Sequence, residues 1–162
     1  FGSYVDTVIS TPQSLAESCK GADLLIGAVL VPGAATPKII TREMIRSMGP
    51  QSVFVDISID QGGCAETSKP TSLDNPVYEV DGVIHYGVCN MPAQTPRTST
   101  FALTTATLPY IKQIANRGVA QSLVESTEMQ SALTCFGGLL TNQPTAEALH
   151  VEFTPVKKAA NL

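Results

Sequence analysis

Residues 53–63 read VFVDISIDQGG, and this run restricts the fold more than any other part of the chain. Val53, Phe54 and Val55 form an apolar, β-branched strand expected to be buried on both faces, as in parallel sheets covered by helices. Two carboxylates, Asp56 and Asp60, and a glycine pair, Gly62 and Gly63, follow at its carboxyl end. In an open α/β sheet that end borders the ligand crevice. Each aspartate therefore has two readings, as a catalytic or ligand-holding acid and as a turn or cap residue. The glycines favour the first, because backbone without Cβ can approach a ligand closely.

The segments up to Pro96 alternate strand and helix patterns. A short strand is expected at residues 5–9, then a helix capped by Thr11, with Pro12 in its first turn and Gly21 just past its end. Residues 24–30 are continuously apolar and read as a central strand, broken by Pro32, Gly33 and Pro37. Residues 41–48 place Met44, Ile45 and Met48 at helical spacing, and Gly49-Pro50 stops them. Strand 53–56 follows, then a polar loop with Pro70 and Pro76, then a strand at 83–88. Strands separated by short helices imply right-handed crossovers and a parallel sheet.

Beyond Pro96 the pattern changes to a long helix running to Asn116, with Thr98, Ser99 and Thr100 as candidate caps and Gly118 as its end. Phe101, Leu108, Ile111, Ile114 and Ala115 give it an apolar stripe, and Pro109 should kink it. A second helix is expected over about 119–132, a short strand within 136–140, a short helix at 145–150 after Pro144, and a frayed tail at 156–162. There is no internal repeat and no low-complexity segment.

Composition narrows the function classes. With 162 residues the chain forms one domain or two unequal pieces, and a hydrophobic content of 43% excludes disorder. The net charge of −4 comes without a basic run, since Lys157 and Lys158 sit in a polar tail, which speaks against nucleic-acid binding. No apolar stretch approaches the roughly 20 residues that span a bilayer. No signal peptide is apparent, although the chain opens on Phe1-Gly2 rather than on Met. Cys19, Cys64, Cys89 and Cys135 lack CxxC spacing, and His85 and His150 are the two histidines, so neither a zinc site nor a disulfide framework is expected. The thiols read as reduced, in a cytosolic protein, with Cys64 packing beside the glycine pair. His85, inside an apolar run, reads as a partly buried histidine with its hydrogen bonds met.

Parallel strands gather their carboxyl ends, so residues 9–10, 28–33, 57–63 and 88–91 should meet at one sheet edge. Val29, Leu30, Ile59 and Met91 would give a flat, mostly apolar ring its surface, with Asn90, backbone amides and Ser10 offering hydrogen bonds. The alternative is a set of ordinary loops over a core. A complete dinucleotide-binding domain also needs a glycine-rich turn after its first strand and an acid about twenty residues later. Neither is present, so the pattern corresponds to the second half of such a domain.

Four segments, GAVLVPGAATPKIITREMI, VFVDISIDQGGCAETSKPTS, VDGVIHYGVCNMPAQTPRTST and FALTTATLPYIKQIANRG, closely resemble successive parts of bacterial alanine dehydrogenase. The resemblance covers nearly the whole chain, is strongest from Gly27 to Gly118, and points to the carboxyl-terminal half of that enzyme. Proton-translocating transhydrogenases share the QGG element, but Ile59-Asp60-Gln61 follows the dehydrogenase pattern. The resemblance implies an α/β fold, the C-terminal half of a Rossmann-type parallel sheet over residues 1–97. Residues 98–162 would then be a connecting helix and a small returning segment of the substrate domain. It further implies NAD as cofactor, L-alanine and pyruvate as substrates, and Asp60 as the active-site acid beside the nicotinamide. Ser10, Val29, Leu30, Ile57, Val88, Asn90 and Met91 match positions lining the cofactor. Asp56 is read as holding loop backbone and Arg97 as structural, since the family draws its substrate-binding basic residues from the amino-terminal half. Absent that half, the chain is expected to be inactive alone, to need it as a partner, and to assemble into the family's homohexamers in the cytoplasm. The competing expectation is a stable, non-catalytic half-domain that binds a nucleotide weakly or serves as an interaction module.

Overall fold

The computed structural model describes residues 4–161. They form two compact units, one of the residues up to Leu30 with Ala35–Met91, the other of Val31–Ala34 with the chain from Pro92 onward.

The first unit is built on a four-stranded sheet of order β1-β2-β4-β3, with β1 at Leu24–Gly27, β2 at Val53–Asp56, β3 at Val77–Val80 and β4 at Val83–Tyr86. β1, β2 and β4 run parallel, in a register that pairs Leu25 with Phe54 and Phe54 with His85. β3 is antiparallel to β4 through the turn at Asp81-Gly82, an element the sequence reading lacked. Helix α1, Pro12–Cys19, starts at Thr11, whose hydroxyl accepts from the Ser14 N–H while Ser14 accepts from the Thr11 N–H. Proline in the first turn and Gly21 at φ 68° beyond the end complete the expected signals. Helix α2, Arg42–Ser47, is capped by Thr41 and turns Met44 and Ile45 inward, with Met48 buried just after it.

Three strand expectations need correction. Residues 5–9 form no strand and are exposed, pairing with none of the four strands of the sheet. The apolar run at 24–30 yields only four strand residues, and β1 is an edge rather than a central strand, with Leu24 and Ile26 exposed. Gly27 ends it in close quarters, since a Cβ there would collide with Cys64 Sγ and crowd the Phe54 ring. β2 buries Phe54 and Asp56 but leaves Val53 and Val55 half-buried, so one face is closed and the other partly open. The closed face holds the core of Cys19, Ile40, Met44, Ile45, Met48, Phe54, Cys64, Ala65 and Val83.

The second unit is dominated by α3, Pro96–Glu125, a 30-residue helix interrupted at Gly118, where φ 78° and ψ 166° leave the helical region. The helix begins at Pro96 rather than among the threonines. Ser99 instead donates its hydroxyl to the Pro92 carbonyl. Ser126 caps a separate helix, α4, at Thr127–Ala132. A hairpin of β5, Cys135–Phe136, and β6, Leu139–Leu140, turns at Gly137-Gly138. Asn142 then caps α5, Gln143–Leu149, and the expected frayed tail carries a short helix α6, Val156–Ala159. No helix among the described residues is long and apolar enough to cross a membrane.

Candidate functional site

The site is organised by the end of β2. Asp56 is 2% exposed and accepts hydrogen bonds from Ser58 N–H at 3.0 Å, Cys64 N–H at 2.8 Å and the Ser68 hydroxyl. Its position thus folds the following residues into a 3₁₀ turn, Ile57–Gln61, that ends at Gly62 with φ 96°. Gly63, at φ 79°, is required because a Cβ there would lie 2.6 Å from Asp56 Oδ2. Gly63 therefore serves the approach of loop to strand and Gly62 the left-handed end of the turn, and Asp56 is the scaffold residue of the two aspartates.

Asp60 leaves the same turn on the outside. Its carboxylate is exposed and accepts the Asn90 N–H at 3.0 Å on one oxygen and 3.1 Å on the other. Asn90 adopts φ 52°, a left-handed conformation that asparagine tolerates, and this aims its amide back across the sheet edge. The β2 loop and the β4 loop are thereby joined beside the carboxylate. Cys89, next in line, has its thiol pKa raised by desolvation and then by the Asp60 charge, which disfavours a thiolate there.

A cavity of about 260 Å3 lies along this edge, lined by Ala28, Val29, Leu30, Ile57, Ser58, Asp60 and Gln61. Leu30 and Ile57 are 65% and 51% exposed, so two large apolar side chains border a carboxylate in the open. Val29 N–H donates to Ser58 Oγ at 2.8 Å, tying the β1 loop to the β2 turn. On the outer side, Thr36 N–H bonds the Gln61 carbonyl at 2.9 Å, and Lys38 Nζ caps the Gly62 and Gly63 carbonyls. Ile40 N–H continues this lacing to the Cys64 carbonyl at 3.1 Å.

Of the residues singled out from sequence, Val29, Leu30, Ile57 and Asp60 share this cavity, and Asn90 joins them through its amide. Val88 is buried, Met91 half-buried at the start of the 3₁₀ turn Met91–Gln94, and neither lines the cavity. Ser10 is exposed ahead of α1 and outside the lining. Ile59, expected to offer surface, is 4% exposed and points into the sheet unit. His85 is fully buried, with Nε2 2.8 Å from Thr67 Oγ1 and Nδ1 2.9 Å from the Val83 carbonyl. Burial lowers its pKa below the usual value. The Cys64 thiol is pushed up to about 11, first by burial and then by the charge of Asp56, which makes it an inert packing group. All four cysteines are free, and no cluster of metal-binding side chains occurs among the described residues. Ser58, Ser68 and Lys38 were missed by the sequence reading. Only Ser58, a hydroxyl set between Ile57 and Ile59, carried a signal there.

Parallel strands whose following loops converge on one edge define the first unit as a Rossmann-type α/β sheet. The profile of the alanine dehydrogenase/PNT C-terminal domain matches residues 1–143, and the chain belongs to that family. It is 48% identical to an alanine dehydrogenase of Methanococcus maripaludis over 162 residues, which is 99% of this chain and 43% of that protein. A solved L-alanine dehydrogenase superposes with a TM-score of 0.75 at 41% identity, covering 93% of this chain and 41% of its own. A transhydrogenase from Sinorhizobium meliloti gives a TM-score of 0.57 at 27% identity over 66% of this chain and 30% of its own. The chain thus spans less than half the length of the relatives it matches.

Proposed function

We propose that this chain contributes the nicotinamide-facing wall of an NAD-dependent L-alanine dehydrogenase, which reversibly converts L-alanine, NAD and water to pyruvate, ammonium, NADH and a proton. The observation that carries this reading is the Asp60 carboxylate, held by the Asn90 amide and exposed beside Val29, Leu30 and Ile57. A cavity of about 260 Å3 with apolar walls fits one flat ring of a dinucleotide, leaving the remainder to be bound elsewhere. NAD, when bound, would accept the two electrons and hydrogen removed from the substrate carbon.

The chemistry asked of the chain's own residues is electrostatic and acid–base. Oxidation of an amine leaves an iminium, and water attacking its carbon must lose a proton. Asp60 can stabilise the positive charge through one oxygen and orient or deprotonate that water through the other. Because both oxygens share the Asn90 N–H, that bond favours one orientation of the carboxylate before substrate arrives. Leu30 and Ile57 exclude water from one side of the ring. Asp56 has no such role, since its oxygens are committed to the loop backbone and Ser68.

In this reading residues 1–97 belong to the nucleotide-binding domain and residues 98–162 to a helix and segment returning to the substrate domain. An amino-terminal half supplies the glycine-rich turn and the basic groups that hold the substrate carboxylate, and the whole forms a homo-oligomer in the cytoplasm. The sheet unit has its own buried core, which favours a second reading, a stable half-domain without catalytic activity. Combining the chain with the amino-terminal half of the Methanococcus maripaludis relative and following alanine-dependent NADH formation separates the two. Turnover that Asp60→Asn lowers by about a hundredfold or more is expected. No turnover in any such pairing would leave the module reading in its place.

A further inference from the structure

Ser58 is the point where three pieces of the sheet edge meet. Its backbone N–H donates to Asp56 Oδ1, its carbonyl accepts the Gly63 N–H at 2.9 Å, and its hydroxyl accepts the Val29 N–H at 2.8 Å. Ser58 is 5% exposed and that last bond is part-buried, so little water competes for it. Val29 and Leu30 belong to the β1 loop, while Ile57 and Asp60 leave the same 3₁₀ turn as Ser58. The one direct hydrogen bond described between these two walls of the cavity is therefore the Val29–Ser58 bond.

We propose that Ser58 is a positioning residue whose hydroxyl, by holding the Val29 amide, sets the separation of the two cleft walls and thereby the affinity for a nicotinamide nucleotide. This rests on the nucleotide-site reading given above. β1 is an edge strand that ends at Gly27, so the three residues after it have no second strand to hold them. Removing the hydroxyl leaves a donor that can be satisfied only by water, and hydrating it requires the β1 loop to move outward. The apolar surface of Val29 and Leu30 then shifts relative to Ile57 across the cavity they share. Asp60 keeps its own hold, because Asn90 bonds it from the other side. Nucleotide binding should suffer and the orientation of the acid should not.

The test uses the 162-residue chain, titrated with NADH and read by amide chemical shifts, as wild type, Ser58→Ala and Ser58→Cys. Ser58→Cys keeps the side-chain shape with a slightly larger atom while weakening the acceptor, and it carries the test should Ser58→Ala unfold. Expected are hydrogen exchange at Val29 faster by about tenfold, unchanged protection in β2 and β4, and an NADH dissociation constant raised by about fivefold. An unchanged dissociation constant in the variants overturns the proposal, as does tighter binding, which would mean that the ligand itself needs the Val29 amide. Absence of NADH-induced shifts in the wild type overturns it together with the nucleotide reading. Wild-type binding that weakens in the variants supports it even if the alanine assay fails, and that failure counts against the dehydrogenase reading alone.

Discussion

The two units use apolar residues in opposite ways. In the sheet unit Phe54, Ile45, Met48, Ile40 and Val83 are buried against one another, and even the polar Asp56 and His85 are enclosed with their hydrogen bonds met. In the helical unit Leu123 and Ala146 are the buried apolar residues described, while Phe101, Leu103, Leu108 and Ile111 of α3 stand exposed. Both units have well-formed secondary structure. The difference teaches that helix formation and core formation are separate events, since α3 satisfies its backbone internally while leaving its side chains open. The sheet cannot do this, because β2 bonds only to strands distant in sequence and gains its stability by closing a face over them.

The largest expected effect sharpens that contrast. Phe54→Ala should cost about 3–5 kcal/mol in urea unfolding, the range for deleting a buried aromatic ring, while Phe101→Ala should cost no more than about 0.5 kcal/mol. Comparable losses at the two positions would break the comparison.

Within the sheet unit, the two aspartates repeat the contrast on a smaller scale. Asp56→Ala leaves the buried Ser58 and Cys64 amides without an acceptor and should cost about 3 kcal/mol, whereas Asp60→Ala should leave the unfolding midpoint nearly unchanged. A large stability loss at Asp60 would show that its carboxylate serves the fold rather than the cavity.

A smaller effect comes from His85. Burial holds its folded-state pKa below the ordinary value of 6.5, so below that pH the unfolded chain binds more protons than the folded one. Its contribution is complete above about 6.5 and is lost as the pH falls toward the folded-state value, by no more than about 1.4 kcal/mol per pH unit. Urea midpoints of wild type and His85→Gln, compared between about pH 7.5 and 5.5, should show a shallower decline in the variant. Equal slopes would mean that the imidazole is protonated as easily in the sheet as in the unfolded chain.

Some elements were legible because their signals are local. Thr11 with Pro12 and Gly21 marked α1, the spacing of Met44, Ile45 and Met48 marked α2, and Gly118 marked the break in α3, each through a hydrogen bond, periodicity or torsion that its own neighbours determine. β3 was missed, since Val77–Val80 includes a glutamate and becomes a strand only by pairing with β4. Residues 5–9 have strand composition but no partner, and composition alone does not make a ladder. At the site, Asp60, Val29, Leu30 and Ile57 were found from strand-end position and from the family pattern, whereas Val88 and Met91 fell outside the cavity described. Lys38 and Ser68 gave no signal, because each acts on backbone carbonyls or a carboxylate that only the folded loop brings near.

By itself the sequence determined where α1 and α2 lie, that β2 and β4 run through the sheet, and that an acid-bearing loop follows β2. Only the tertiary structure decided which acid turns inward and which outward. Only three residues lie between them, and a 3₁₀ turn pinned at Cys64, Ser68 and Asn90 divides their fates. The direction of a side chain at a strand end depends on bonds to residues remote in the chain, and those bonds exist only once the sheet has closed.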